Sequence, residues 1–544
     1  MTYDSWENHV GKRVLLALAI LLLVTAAVYS GSLKNGFVWD DHDVIEQYPL
    51  NRSLSNLPLY FTTSDSNKGW AATPFYRPLA RASYAVDYQL FGLRPWGYHL
   101  ENLLLHLANV LLLFFMARAI IKETLPALLT ASFFAIHPAI AEPVLAAFAR
   151  NTLLALFFAL ATFLTFNRGI RGHGFRWIIC SALLFFLGLL SKETAIAVLP
   201  VIAWYCYSQQ VPVNLCIRRL LPLFFVVAMY LLLRSYALEG VFPESQSTTF
   251  SQRIWQSLYI IPRYLLLLIA PVNLTVWHEI PPDLKGLAPI LSVAWLAMAA
   301  SAVALVKYAE KDAILGLFWG ACALVPVLGL VEIPGAPLAE RHLYIPFAGF
   351  ALAGGAIASR VLRRHATVGL CILSVLIALL VGRTTMRTYD WRNDSTLFKR
   401  AVEVNPASAT AHYNLGNAYL QANNQRAALN EWLQAVRINP NALDALNQLG
   451  SQLLYATRYQ EAQHYLERAV AVNPSWFYSL SNLAVALDMQ NKREEAAQQY
   501  ERALQVVPPE RQDSVPQIKE RILQLHSKER DGNSKVLVQK EMLK

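Results

Sequence analysis

In hydrocarbon, a backbone amide or carbonyl finds no water to bond. A run of about 20 apolar residues therefore leaves the chain one local solution, the α-helix. This sequence sets that condition repeatedly and then abandons it. Apolar runs fall at about 14–30, 100–117, 125–144, 150–167, 177–191, 194–208, 219–236, 288–306, 312–331, 345–360 and 367–383, and they stop after Asp390. The chain is 55% hydrophobic and 15% charged, whereas a soluble protein carries roughly a quarter charged residues. The expectation is an all-α chain: a polytopic membrane domain of about 11 spans over residues 1–390, followed by a water-soluble domain.

The formal charge of +10 does not require nucleic acid. Lys12 and Arg13, Arg118 and Lys122, Arg168, Arg171 and Arg176, Arg218 and Arg219, Lys307 and Lys311, and Arg360, Arg363 and Arg364 sit in short loops that share one side of an 11-span count. By the positive-inside rule that side is cytoplasmic. The N-terminus is then inside, and the large loops 31–99 and 237–287 lie outside with everything after Arg383. The run 254–274, interrupted by Pro262 and Arg263, would break this count if it crossed, so it is expected to be re-entrant or interfacial. The first run follows Asp4 and Glu7 and precedes no A-x-A site, so it reads as a retained span. The five cysteines lie in apolar runs or a basic loop and form no metal or disulfide spacing.

Pro406, Pro440, Pro474 and Pro508 recur every 34 residues, with Gly416, Gly450 and Ala484, then Ala428, Ala462 and Ala496, then Ala435, Ala469 and Ala503 in register. That is the tetratricopeptide signature. It predicts an α-solenoid over 391–528: three full repeats at 407–508, a half repeat before them and a capping helix after. The tail 529–544 reads as disordered. Such a stack forms a groove suited to an extended polypeptide, here an acceptor protein.

"GFVWDDHDVIEQ" follows the first span and places Asp40, Asp41 and Asp43 within four positions. A carboxylate beside another in a partly dehydrated pocket has its proton affinity raised, which suits a general base. A departing phosphate calls for cations in low dielectric. The candidates are Arg77, Arg150, Lys192, Arg263 and Arg341, with Tyr344 beside the last. Glu193 accompanies Lys192 in "SKET", where ionisable groups interrupt two apolar runs. His42, His137 and His278 complete the pocket set. No metal is required; Asp41 with Asp43 is the alternative ligand pair. His99 and His106 read as packing residues, and Glu340 as a local partner of Arg341.

These stretches, with "YRPLARASYAVDYQL", "AIHPAIAEPVLAAFARNTLL", "LSKETAIAVLP" and "AERHLYIPFAGF", resemble in order the transmembrane-and-tetratricopeptide O-mannosyltransferases of the GT-C class. The resemblance implies an inverting membrane transferase that moves a sugar from a polyprenyl phosphate to a Ser or Thr hydroxyl. It places the first-loop acids at Asp40 and Asp41, a second outer-loop acid at Glu142, and an arginine at Arg150. The sequence departs from that pattern at Ala149, Thr152 and Ile140, where the family carries a glycine, an acid and often a histidine. A bacterial inner membrane, with the repeats on the periplasmic side, is the expected location. The rivals are a lipid or glycan acceptor, and a membrane-anchored scaffold without catalysis.

Overall fold

The computed structural model describes residues 3–62, 75–172, 174–238, 249–281, 283–308, 311–328 and 338–527. The tail 529–544 and parts of the loops 31–99 and 237–287 lie outside the described residues. The chain divides after Asn393 into two compact units.

The first unit runs through α1 (Tyr3–Tyr29), α2 (Leu57–Thr62), α3 (Pro78–Phe91), α4 (Pro95–Ile121), α5 (Thr124–Ile136), α6 (Glu142–Leu145), α7 (Arg150–Ile170), α8 (Arg176–Ser191), α9 (Val198–Ser208), α10 (Val213–Ala237), α11 (Phe250–Ile269), α12 (Ala288–Tyr308), α13 (Lys311–Leu324), α14 (Tyr344–Arg364) and α15 (Ala366–Asp390). Most of the expected apolar runs fall in helices, but the run at 125–144 breaks at His137, where α5 gives way to the 3-10 turn Pro138–Ile140 and the short α6. Among the described residues, 6 helices are individually long and apolar enough to cross a bilayer, not 11. Among the others, α5 has 13 residues, α8 has 16 and α9 has 11. At 1.5 Å per residue, such helices cover only part of a hydrocarbon core about 30 Å thick. Turns of 3-10 helix extend two of them, Glu193–Ala197 before α9 and Val325–Val327 after α13. The run at 254–274 forms α11, an amphipathic helix with Pro262 inside it, and is not among those 6.

Leu23 on α1, Phe225 and Leu232 on α10, Leu296 on α12 and Leu379 on α15 are all at least two-thirds exposed. Large apolar side chains displayed in rows on long apolar helices require hydrocarbon around them, so this unit is a membrane protein. Its helices pack closely where side chains are missing. A Cβ on Gly316 would sit 2.6 Å from the backbone of Ala353, and one on Gly355 would sit 2.6 Å from the carbonyl of Pro126. Glycine there lets α14 lie directly on α13 and α5.

The second unit contains α16 (Asp394–Val404), then the pairs α17 (Ala409–Gln421) with α18 (Gln425–Ile438), α19 (Leu443–Tyr455) with α20 (Tyr459–Val472), and α21 (Phe477–Met489) with α22 (Arg493–Gln505), and finally α23 (Val515–His526). This is the expected tetratricopeptide solenoid. The small residues act as read from the sequence: a Cβ on Gly416 would meet Trp432 at 2.4 Å, and one on Gly450 would meet Leu466 at 2.4 Å. One further periodic feature is backbone strain. Asn423, Thr457 and Asn491 all take positive φ in the turn inside each repeat.

Candidate active site

The acid cluster is shaped by its backbone. After α1 a 3-10 turn, Ser30–Lys34, leads to extended Asn35. Trp39 then adopts φ 52°, a left-handed conformation that is costly for a bulky residue. That turn gives the two neighbouring carboxylates different surroundings. Asp41 is fully buried; its Oδ2 accepts the N–H of Val38 at 3.1 Å and its Oδ1 accepts the N–H of Phe148 at 2.6 Å. It clamps the first loop to the 3-10 turn Ala147–Ala149. Burial pushes its pKa up to about 7, against the pull of those two N–H groups. Asp40 is partly exposed and accepts no hydrogen bond from the described residues. Burial raises its pKa to about 6; Arg341 works in the other direction, while Asp43 and Glu142 add to the rise.

Facing Asp40 is Arg341, on the 3-10 turn Glu340–Leu343 before α14. Its guanidinium lies over Trp39 at 5.3 Å and Phe148 at 5.7 Å. Glu142, fully buried at the start of α6, accepts both its Nη1–H at 2.8 Å and its backbone N–H at 2.9 Å. Lys192 joins from the break between α8 and the next turn. It is buried, and its Nζ donates to Thr152 Oγ1 on α7 at 2.9 Å. Burial, helped by Arg77 and Arg341 and opposed by Glu193 and Glu142, brings its pKa down to about 7. Arg77 grips Glu193 with two bonds, at 2.7 and 3.3 Å, and stacks on Phe75 at 4.0 Å. Burial works against the Glu193 charge, yet Arg77 holds the carboxyl down at about 2. Asp40, Glu142, Arg341, Lys192, Arg77 and Glu193 therefore form one electrostatic group, drawn from five separate chain segments.

Other expected site residues are placed elsewhere. Arg150 is fully buried with its guanidinium surrounded: Asp87 at 2.6 Å, Glu101 at 2.7 Å, Asn102 at 3.0 Å, Ser83 at 3.1 Å and the carbonyl of Tyr98 at 3.2 Å. With two carboxylates paired to it and three hydrogen bonds donated, the buried Arg150 is a structural tie between α3, α4 and α7. Tyr344 bonds His106 at 2.8 Å and Asn109 at 3.2 Å inside the bundle, which removes it from the cation pocket. The buried Nε of Arg263 has no partner among the described residues, and no ion pair joins Arg263 to the group above. His42 turns to Glu46 within a single π turn, His42–Glu46, and Asp43, its carboxyl raised by burial, lies in the field of His42. His137 bonds the carbonyl of Leu268 at 3.0 Å and accepts the N–H of Ala139 at 3.3 Å.

Glu340 is not the partner of Arg341. It binds Arg387 at 3.0 Å, His278 at 3.2 Å and the N–H of Thr275 at 2.6 Å. Adjacent residues on the tight turn point apart, and Arg341 reaches Glu142 instead. Sequence reasoning missed Thr152 as the Lys192 partner. It also missed His342 and Tyr264, whose side chains bond at 3.0 Å beside Arg341. The only prior signal was Thr152, at a position where the resembled pattern carries an acid.

Two apolar cavities border the bundle. One, of about 450 Å³, is lined by Ile196, Ala197, Leu199, Pro200 and Ala203, with Leu220, Phe224, Cys322, Val325 and Pro326 opposite. It begins four residues after Lys192. The other, of about 570 Å³, is lined by His137, Leu268 to Val272, Phe347, Phe350 and side chains of α15 including Arg383. Among the described residues no group of three or more His, Cys, Asp or Glu comes together as metal ligands. The arrangement offers a carboxyl that accepts no hydrogen bond from the described residues, in the field of Arg341, within a group that also holds Lys192 and Arg77.

Residues 76–237 match the family described as dolichyl-phosphate-mannose-protein mannosyltransferase, and residues 395–442 and 447–513 match the tetratricopeptide repeat. The chain is similar in sequence to proteins named protein O-mannosyl-transferases. It is 25% identical over 432 residues to the Caenorhabditis elegans protein O-mannosyl-transferase F38B6.6, covering 73% of this chain and 59% of that one. Against human protein O-mannosyl-transferase TMTC3 it is 25% identical over 474 residues, covering 77% of this chain and 51% of the relative. It thus spans only about half to three-fifths of those proteins. Among solved structures, ArnT from Cupriavidus metallidurans bound to undecaprenyl phosphate aligns with a TM-score of 0.39 and 14% identity, over 94% of this chain and 82% of that one.

Proposed function

We propose that this chain is an inverting GT-C glycosyltransferase that moves a sugar from a polyprenyl-phosphate carrier to a Ser or Thr hydroxyl of a protein. Asp40 takes the hydroxyl proton; the hydroxyl oxygen attacks the anomeric carbon from the face opposite the phosphate; the bond from that carbon to the phosphate oxygen breaks. Lys192 and Arg341, with Arg77 behind them, receive the phosphate charge as it develops. Attack with one base and no covalent intermediate inverts the configuration. Asp41 and Glu142 are positioning residues: the first holds the loop that presents Asp40, the second holds Arg341. The carrier's isoprenoid chain lies in the cavity lined by Ile196 to Ala203, with its phosphate at Lys192. The reaction so written requires no metal. The site faces the periplasm of a bacterial inner membrane, with the N-terminus cytoplasmic, and the repeats engage the acceptor polypeptide.

The observation that carries this reading is the contrast between the two neighbouring aspartates. Asp41 is spent on backbone N–H groups, while Asp40 has a raised pKa, no hydrogen bond from the described residues, and Arg341 opposite. The test uses purified protein in lipid nanodiscs, a radiolabelled polyprenyl-phosphate sugar and a Ser/Thr peptide or protein acceptor. Asp40→Asn is expected to abolish transfer while donor binding persists. Transfer at the unaltered rate in that variant would overturn the assignment.

A further inference from the structure

A buried cation ordinarily keeps a counter-ion, because an unpaired charge out of water costs several kcal/mol. Two of the three site cations obey. Arg341 is paired with Glu142 at 2.8 Å and Arg77 with Glu193 at 2.7 Å. Lys192, 5% exposed, does not: its Nζ bonds the neutral hydroxyl of Thr152 at 2.9 Å, and no carboxylate among the described residues lies within ion-pair distance. The charged and titratable groups that face it are Arg77 from the segment before α3, Arg341 and His342 from the turn before α14, Glu193 beside it, and Glu142 at the start of α6. Both carboxylates are already held by guanidinium groups. The field at Nζ is thus short of one negative charge.

Resting on the reading of this site as a phosphate pocket, we infer that Lys192 is a proton-linked phosphate sensor. It is neutral in the empty site and takes up one proton from solvent when the anionic phosphate of a polyprenyl carrier binds. Thr152 is the positioning residue that keeps a resident counter-ion out. No covalent bond changes in this step; the arriving anion supplies the missing charge and the proton completes the pair. The empty-site pKa of about 7 sets the pH at which the linkage appears. Above it, affinity falls about tenfold per pH unit, because each binding event must first protonate Lys192. Below pH 6, where Lys192 is already charged, the dependence vanishes.

The test is calorimetry on the full-length protein in detergent, with the methyl phosphodiester of a short polyprenol, whose single charge is fixed across the range. Titrations run in two buffers of different ionisation enthalpy count the protons taken up. The expected uptake is close to one proton at pH 8 and close to none at pH 6. Lys192→Met and Thr152→Asp should both show none at either pH, the second because its carboxylate pairs with Nζ permanently. Thr152→Val, which adds no charge, should keep the uptake. Binding without uptake at pH 8, or uptake that persists in Lys192→Met, overturns the inference and leaves the phosphate pocket standing. If the diester binds no better than the free polyprenol at any pH, the phosphate pocket itself fails.

Discussion

Replacing Glu142 with glutamine tests how Asp40 is tuned. Glu142 is fully buried and accepts two bonds from one residue, the backbone N–H and the side-chain Nη1–H of Arg341, at 2.9 and 2.8 Å. Glutamine keeps one acceptor oxygen and puts an NH₂ donor where the other stood, so one bond is lost and two donors face each other. A hydrogen bond to a charged group contributes ~1.5–3 kcal/mol, and stripping a buried charge of its partner costs ~3–5 kcal/mol. Arg341 is 16% exposed and can relax toward Asp40, so a loss of about 2–3 kcal/mol is expected. That corresponds to a 30- to 150-fold fall in transfer if the whole of it is felt in the transition state.

The pH profile separates this from simple damage. Asp40 must be ionised to act as base, so activity falls on the acid side of its pKa, about 6 in the native site. The Glu142 charge raises that pKa and Arg341 lowers it. Glu142→Gln removes the first effect and frees the second, so both move the acid limb down, by about one pH unit, or ~1.4 kcal/mol. Steady-state transfer from pH 5 to 8 in nanodiscs, compared between wild type and Glu142→Gln, measures it. An acid limb that stays in place or moves up in Glu142→Gln refutes the claim that Asp40 is the base whose pKa these neighbours set.

Asp41 is more readily protonated in the folded chain than unfolded, with a pKa of about 7 against ~3.9; its contribution to stability is therefore complete below pH 4 and is lost as pH rises toward 7 and above. Heating series followed by size-exclusion chromatography should show wild type losing stability between pH 5 and 8, with a shallower loss in Asp41→Asn. Arg150→Met strands Asp87 and Glu101 and should cost ~3–5 kcal/mol, read as loss of the monodisperse peak, and Arg150→Lys should fail to restore it because one ammonium cannot meet five partners. Deleting residues 394–544 should abolish transfer to a folded or extended protein acceptor while transfer to a short Ser/Thr peptide continues; equal loss of both would remove the repeats from acceptor binding.

The parts of this fold that were legible in the sequence are those governed by local periodicity. Apolar runs became helices because hydrocarbon leaves no alternative, and the 34-residue rhythm became helix pairs because Gly416 and Gly450 must admit Trp432 and Leu466. What spacing could not reveal was which charges cancel. Arg150 read as a phosphate ligand until Asp87 and Glu101 appeared beside it, from helices 63 and 49 positions upstream. Glu142 read as an acid of the reaction, yet it holds Arg341 from 199 positions away. Tyr344 sits three residues after Arg341, but the helix that starts there turns its hydroxyl inward to His106. Hydropathy also did not mark where the helices break: α9 is preceded by the 3-10 turn Glu193–Ala197 and α13 is followed by the 3-10 turn Val325–Val327.

The same cancellation explains why so crowded a pocket can be catalytic. Pairing Arg77 with Glu193 and Arg341 with Glu142 leaves two neutral units whose dipoles are fixed by short bonds. Asp41 is withdrawn into the backbone. What remains in this group, among the described residues, is a carboxyl that accepts no hydrogen bond, Asp40, and an amine without a counter-ion, Lys192. A glycosyl transfer from phosphate to a hydroxyl needs one site for a departing proton and one for an arriving negative charge, and within this group of six residues Asp40 and Lys192 are the two without an ion pair among the described residues. The cost of keeping them so falls on the pairs around them and on the left-handed turn at Trp39. That turn separates two sequence neighbours into a strut and a base, and substitution of Trp39 by a residue averse to positive φ, such as valine, should cost activity through Asp40 before it costs the helical bundle.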